Sequence, residues 1–285
     1  MSTTMSMSQP VLVTGHRGYI GSRVFSRLKN LGCDVDGVDL KDGEDLLYSL
    51  PRDKKYHTVF HLAALPRVEY SVLKPSYTLM HNVLGTSRVL DWAVETGVKR
   101  VVFSSSCAVY GDGEGPSSPY GLHKLMSELE CSLFSNLYGI DIVCLRYYNV
   151  YSKDQPFGGA YSTVLSAWMQ MIRDSLPLRI DGDGEQTRDF VHVDDIVSAN
   201  IFCMQYKNNF AGRAFDVGTG SSISINKIKK IVEKYHDVEW QFAPPRAGDV
   251  RHTCADTTPL EDIGWKATID IKTGIEECFK QKKGK

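Results

Sequence analysis

Five short apolar runs punctuate the first half of the chain, PVLVTG, DVDGVD, TVFHLA, RVVFSS and IDIVCLRYY, and segments of helical period separate them. Runs this continuous in Val, Ile, Leu and Phe suit strands covered on both faces, and the intervening helices imply right-handed βαβ units in a parallel sheet. The expected fold is therefore a doubly wound parallel α/β sheet, a Rossmann-type domain spanning 10–150 with later segments at about 189–217 contributing. After about residue 150 the pattern loosens, with helices expected at 160–174, 193–206, 224–235 and 270–282. Residues 151–285 are read mainly as a smaller C-terminal substrate-binding lobe. Ligands of open α/β sheets gather at the carboxyl edge of the strands, so a cleft at that edge is the expected site.

Charge narrows the partners. With 33 Lys plus Arg against 34 Asp plus Glu the net charge is -1, and no global field favours nucleic acid or an acidic membrane. The 7 cysteines are odd in number, lack CxxC spacing and sit in apolar or helical runs, as reduced thiols do, so neither a disulfide framework nor a zinc or other metal site is expected. No run approaches the roughly 18 apolar residues that span a bilayer. Residues 1–9, MSTTMSMSQ, are expected to be a disordered tail of a cytoplasmic protein.

Gly15, Gly18 and Gly21 follow the first apolar run in VLVTGHRGYIGSRVFSRL and open a helix. Backbone N–H groups and the helix N-terminus can there meet a pyrophosphate without Cβ obstruction, although tight strand–helix packing alone would also use such glycines. The next apolar run ends at Asp39, where a carboxylate would accept hydrogen bonds from an adenosine ribose and repel a 2′-phosphate. NAD is favoured over NADP on that ground. Arg17 pulls the other way, because a guanidinium in the loop can pair with a phosphate.

The second chemical signal is SSSCAVYGDGEGPSSPYGLHK. Ser106 ends an apolar run, and Tyr120 and Lys124 lie one helical turn apart on a common face. A phenol with a reference pKa near 10 becomes a usable general base when an ammonium stands beside it, and a serine hydroxyl can orient the substrate oxygen.

TGHRGYIG, FHLAA, NVLGTSRVLDWA, FSSSCAVYG, SPYGLHK, LRYYNVY, GDGEQTRDFVHVDDIVSA and RAGDVRHTCAD together resemble the extended short-chain dehydrogenase/reductase family, in its nucleotide-sugar epimerase/dehydratase branch related to UDP-glucose 4-epimerase. The resemblance runs from about Val11 to Phe279. It implies Ser106, Tyr120 and Lys124 as the catalytic residues. For NAD it implies Gly15, Arg17, Gly18, Tyr19, Ile20, Gly21, Asp39, Asp45, Leu46, Leu62, Ala63, Ala64, Asn82, Ser104 and Tyr147, with Tyr120 and Lys124 again. For the sugar nucleotide it implies Ser106, Asn149, Arg188, Arg246 and Asp249, the two arginines clamping a diphosphate. His61 and His192 are read as structural.

Departures from the family pattern matter too. The connection from Ser106 to Tyr120 is very short, and the stretch from Asp39 to Asp45 is abbreviated, so a third strand of the cofactor domain is expected to be missing or vestigial. Asp181 stands where relatives often carry an aromatic residue against the base, leaving UDP ahead but guanine open. The Asp-Glu pair of the dehydratases is absent after Ser106. The expected function is an NAD-dependent 4-epimerase acting on a UDP-hexose by transient C4 oxidation and re-reduction. The alternatives are an NADPH-dependent GDP-4-keto-6-deoxy-hexose reductase/epimerase and a non-catalytic NAD-bound regulator. The helices expected in TSRVLDWAVETG and YGLHKLMSELECSLFSNLYG imply, by the same resemblance, a homodimer.

Overall fold

A computed structural model describes residues 9–157, 163–245 and 250–280. The elements run β1 (Val11–Thr14), α1 (Tyr19–Asn30), β2 (Val35–Val38), β3 (Thr58–His61), α2 (Val68–Leu73), α3 (Pro75–Leu79), α4 (Gly85–Thr96), β4 (Arg100–Ser106), α5 (Pro119–Tyr138), β5 (Asp141–Tyr147) and β6 (Asn149–Tyr151). They continue as α6 (Val164–Arg173), β7 (Leu178–Asp181), β8 (Thr187–Arg188), β9 (Phe190–His192), α7 (Val193–Gln205), β10 (Ala214–Val217), β11 (Ile223–Ser224), α8 (Ile225–Val232), β12 (Trp240–Ala243), α9 (Thr258–Glu261) and α10 (Ile271–Phe279). The four helices expected after residue 150 are present as α6, α7, α8 and α10; of the expected ranges, 160–162 and 281–282 lie outside the described residues. Two compact units form, one up to Tyr147 with Ile196–Phe215 added, the other Tyr148–Asp195 with the chain from Asp216 onward.

In the first unit the apolar runs do become strands, in the order β10-β5-β4-β3-β1-β2, with β5, β4, β3, β1 and β2 paired in parallel. β1 and β3 are buried along their whole length, as strands covered on both faces must be. Leu12, Val59, Leu90, Trp92, Val101, Phe103 and Ile142 form the core around the sheet. Burying each such side chain contributes about 1.5–3 kcal/mol. β2 is the edge strand, and after it the chain makes one tight helical turn at Leu40–Asp42. No strand lies beyond β2 among the described residues, as the abbreviated Asp39–Asp45 stretch led us to expect.

The segment that returns to this unit is held by one buried cation. The Arg100 guanidinium donates to the carbonyls of Cys203, Met204, Tyr206 and Asn208 at the end of α7, while its Nε donates to Asp141 at 2.7 Å. Asp141 in turn accepts from the Phe210 N–H at 2.7 Å. A positive side chain at a helix C-terminus meets the unpaired carbonyls left there.

The second unit is built from short strand pairs, β6 with β9, β7 with β12 and β8 with β11. Tyr151, Leu165, Trp168, Ile180, Phe190, Ile228, Ile275 and Phe279 make its core. Its loops are tied by fully buried Asp189, whose carboxylate accepts from the N–H groups of Thr219, Gly220 and Ala255 and from the Thr219 hydroxyl. A buried carboxylate is tolerable only with its lone pairs filled in this way.

Candidate functional site

The glycine loop between β1 and α1 is a place of close backbone approach. Gly15 has φ +73°, and a Cβ there would lie 2.7 Å from the Ala63 nitrogen; one on Gly21 would lie 2.0 Å from the Gly15 carbonyl oxygen. Only glycine fits either position. The Gly18 N–H closes the turn on the Gly15 carbonyl at 2.9 Å, and α1 starts at Tyr19 with no side chain capping it. The positive end of the helix dipole therefore faces the loop with no side chain capping it, as at an anion-binding helix N-terminus. Tyr19 and Ile20 turn their side chains into buried positions.

Asp39 follows β2 and is nearly buried. One carboxylate oxygen accepts from the Arg17 N–H at 2.9 Å and the other from the Lys41 N–H at 2.9 Å. An ionised carboxylate has about four acceptor positions, so two remain for hydroxyl donors. The Arg17 guanidinium is paired with Asp42. Asp45 caps its own loop by accepting from the Leu47 N–H at 3.0 Å, and Leu46 packs against the core.

On the other side of the glycine loop, the Leu62 N–H donates to the Thr14 carbonyl at 3.2 Å, and a chain of side-chain hydrogen bonds ends on Ala63. The Thr86 hydroxyl donates to the Asn82 carbonyl at 2.7 Å and therefore accepts from His61 Nε2 at 3.1 Å; His61 Nδ1 then accepts from the Thr14 hydroxyl at 2.8 Å, which accepts from the Ala63 N–H at 3.3 Å. The neighbours thus select one neutral tautomer. Burial, aided by the charge of Lys124, lowers the His61 pKa to about 3, which keeps the ring uncharged. Asn82, in a π-helical turn at Met80–Leu84, clamps Leu65 with both ends of its amide, at 2.7 Å and 3.0 Å. Its side chain positions the loop and is already committed to it.

Tyr120 and Lys124 sit in the first two turns of α5, both buried. Ser118 caps that helix by accepting from the Gly121 N–H at 3.2 Å, and Pro119 occupies the position where no donor is needed. The Tyr120 N–H has a partner from far along the chain, the Ser71 hydroxyl of α2 at 3.0 Å, which itself donates to the Val68 carbonyl. A Cβ on Gly121 would lie 2.3 Å from the Ala108 carbonyl oxygen, so this glycine lets the start of α5 close onto the turn that follows Ser106. Ser106 Oγ accepts from the Ala108 N–H at 3.2 Å, leaving its own hydrogen to donate outward. Lys124 is only 3% exposed, donates to the Ser104 carbonyl at 2.7 Å and lies 4.7 Å from the centre of the Phe103 ring. Burial lowers its pKa to about 8. The Ser104 hydroxyl is turned away, onto the His61 carbonyl at 3.1 Å.

Glu128, one turn after Lys124, braces the same face. It accepts from the Ser105 hydroxyl and from Arg146 through two nitrogens, and Arg146 donates onward to the Tyr110 hydroxyl at 2.6 Å. The short Ser106–Tyr120 connection is thereby anchored at Tyr110. Tyr147 is buried at the end of β5, and its phenol is hydrogen-bonded with the Asn200 amide at 2.8 and 3.0 Å.

In the second unit, the Asn149 amide donates to the Asp189 carbonyl at 3.0 Å and Arg188 donates to the Thr187 carbonyl at 2.9 Å. Asp181 is paired with Arg179 at 2.6 Å. Arg246 and Asp249 lie outside the described residues. His192 caps its own turn, accepting from the Asp194 N–H at 3.2 Å. Ser71, Asn82 as a clamp, Glu128 with Arg146, and Asp42 gain their roles from partners distant in sequence, and nothing local marks the first of them.

A family model described as the NAD dependent epimerase/dehydratase family matches residues 11–218. A UDP-glucose 4-epimerase of Mycolicibacterium smegmatis is 32% identical, covering 95% of this chain and 98% of its own. Among solved structures, UDP-N-acetylglucosamine 4-epimerase from Methanobrevibacter ruminantium M1, in complex with UDP-N-acetylmuramic acid, matches with a TM-score of 0.87 at 30% identity over 95% of this chain and 97% of that one. UDP-glucuronic acid 4-epimerase from Bacillus cereus, in complex with UDP-glucuronic acid and NAD, matches with a TM-score of 0.85 at 27% identity over 95% of this chain and 98% of that one.

Proposed function

Because this chain belongs to the NAD dependent epimerase/dehydratase family, we propose that it is an NAD-dependent 4-epimerase of nucleotide sugars of the UDP-hexose class. The observation that carries the reading is Tyr120 and buried Lys124 at the start of α5, closed by Gly121 onto the turn after Ser106. The residues fit NAD: Gly15 and Gly21 admit no Cβ, the first N–H groups of α1 have no side-chain cap, and Asp39 keeps acceptor capacity. When bound, the cofactor accepts a hydride from a sugar carbon and returns it.

Tyr120, as phenolate, takes the proton of the C4 hydroxyl and gives it back in the return step. Ser106 donates to the same oxygen and so fixes its position. Lys124 has three donors and uses one on Ser104, leaving the others for the Tyr120 oxygen and a cofactor ribose hydroxyl. On the sugar-nucleotide side, Arg188 and Arg246 bind the diphosphate, Asn149 an oxygen beside it and Asp249 the nucleotide ribose. UDP is favoured over GDP because the similar solved 4-epimerases are in complex with UDP-sugars. The reductase reading is not favoured, since each relative described above is named as a 4-epimerase.

The homodimer belongs to the same proposal. Leu122, Met126, Leu129, Leu133 and Leu137 make an exposed apolar stripe along α5, opposite the face that carries Lys124. We assign it to the two-fold contact. Seven free thiols and a net charge of -1 support a reducing cytoplasm and a small-molecule partner, without nucleic acid or membrane. The test is direct. Freshly purified protein, once denatured, releases NAD identified by absorbance and mass, and the intact protein interconverts a UDP-sugar and its C4 epimer without added reductant. Tyr120→Phe keeps the NAD and loses about 10²–10⁴ in rate. Inactivity of NAD-loaded protein on UDP-glucose, UDP-N-acetylglucosamine and UDP-glucuronate alike would overturn the substrate class.

A further inference from the structure

Two cations flank Asp39, the residue that the NAD reading places at the adenosine ribose. Arg17 and Lys41 each donate a backbone N–H to its carboxylate at 2.9 Å, so both side chains start beside it. A loop with an arginine and a lysine around this position has the charges that would take a 2′-phosphate. Both cations are engaged elsewhere. The Arg17 guanidinium is paired with Asp42 Oδ1, and Lys41 Nζ donates to the Arg17 carbonyl at 3.1 Å. The second oxygen of Asp42 lies 3.4 Å from His16 Nε2.

Asp42 reaches Arg17 because of the same turn that Asp39 begins. Asp39 caps it through the Lys41 N–H, its carbonyl accepts the Asp42 N–H at 2.9 Å, and Gly43 ends the turn at φ 82°. We propose that Asp42 is a positioning residue for cofactor choice: it holds Arg17 away from the ribose 2′ position, so that NAD is retained over NADP. This rests on the NAD reading above. The Arg17 and Asp42 side chains are 52% and 30% exposed, so the pair is worth less than about tenfold by itself and is screened by salt. Asp39 supplies the larger part of the discrimination.

The experiment equilibrates intact protein with equimolar NAD and NADP at low salt, removes free nucleotide and measures the retained ratio by mass spectrometry. Wild-type protein retains NAD. Asp42→Asn raises the retained NADP:NAD ratio about three- to tenfold, more so in an Asp39→Ser background, and adding Arg17→Gln to Asp42→Asn returns the ratio to its wild-type value. An unchanged ratio in Asp42→Asn, or a gain that survives Arg17→Gln, would overturn the role of Asp42 while leaving the NAD reading standing. Wild-type protein that prefers NADP, or retains neither dinucleotide, would sink the NAD reading and this inference with it.

Discussion

At the scale of single residues, charge states carry the most direct consequences. Lys124 has its pKa brought down to about 8 by burial, so its ammonium is present below that pH and is lost as pH rises through it. In the proposed mechanism that charge assists Tyr120, so the rate of epimerisation is expected to fall about tenfold per pH unit above this point, and a pH–rate profile reads it. Lys124→Met gives a low rate without that limb. His61 works in the opposite range. Its pKa is lowered from 6.5 to about 3 in the folded state, so on acidification the unfolded chain takes up a proton that the native chain refuses. The stability that follows is complete above pH 6.5 and is lost as pH falls from 6.5 towards 3. Urea denaturation at pH 7, 6 and 5 should show this slope, and His61→Asn should start lower at pH 7 and decline less steeply.

At the scale of elements, α5 is fixed at its first turn from three directions: Ser118 on its own chain, Ser71 on α2 and the close contact of Gly121 with Ala108. Gly121→Ala would place a methyl 2.3 Å from the Ala108 carbonyl and push the helix off the Ser106 turn. The expected cost is about 1–3 kcal/mol of stability, as for other overpacked positions. Activity should fall at least about tenfold, because a small misplacement of reacting groups is magnified in the rate, while retained NAD stays near the wild-type amount. Thermal unfolding and nucleotide content measured on the same sample check both parts.

At the scale of the whole molecule, the proposed homodimer turns on the exposed leucines of α5. Leu129 is 64% exposed and Leu133 is 54% exposed on the isolated chain, in a stripe that water would penalise if left uncovered. Light scattering at micromolar concentration is expected to give twice the mass calculated for one chain, and Leu129→Glu with Leu133→Glu to give a monomer. A wild-type monomer would remove the homodimer from the proposal.

The alternation of apolar runs with helical segments determined a parallel α/β sheet, since a strand buried on both faces needs an unbroken apolar run and a parallel partner needs a crossover. Spacing likewise made the glycine loop, Asp39 and the Tyr120–Lys124 pair legible, because these depend on contacts within a few residues or on one βαβ unit. Other features required register between distant segments. Ser71 meets the Tyr120 N–H across 49 residues, Asn82 closes on Leu65, and Arg100 gathers the carbonyls after α7. None of these has a local pattern, because a hydroxyl, an amide or a guanidinium satisfies whichever backbone group the packed core brings to it. The sequence by itself determined the sheet and the chemical groups it would carry; the tertiary structure alone decided which of them were held in place, and by what.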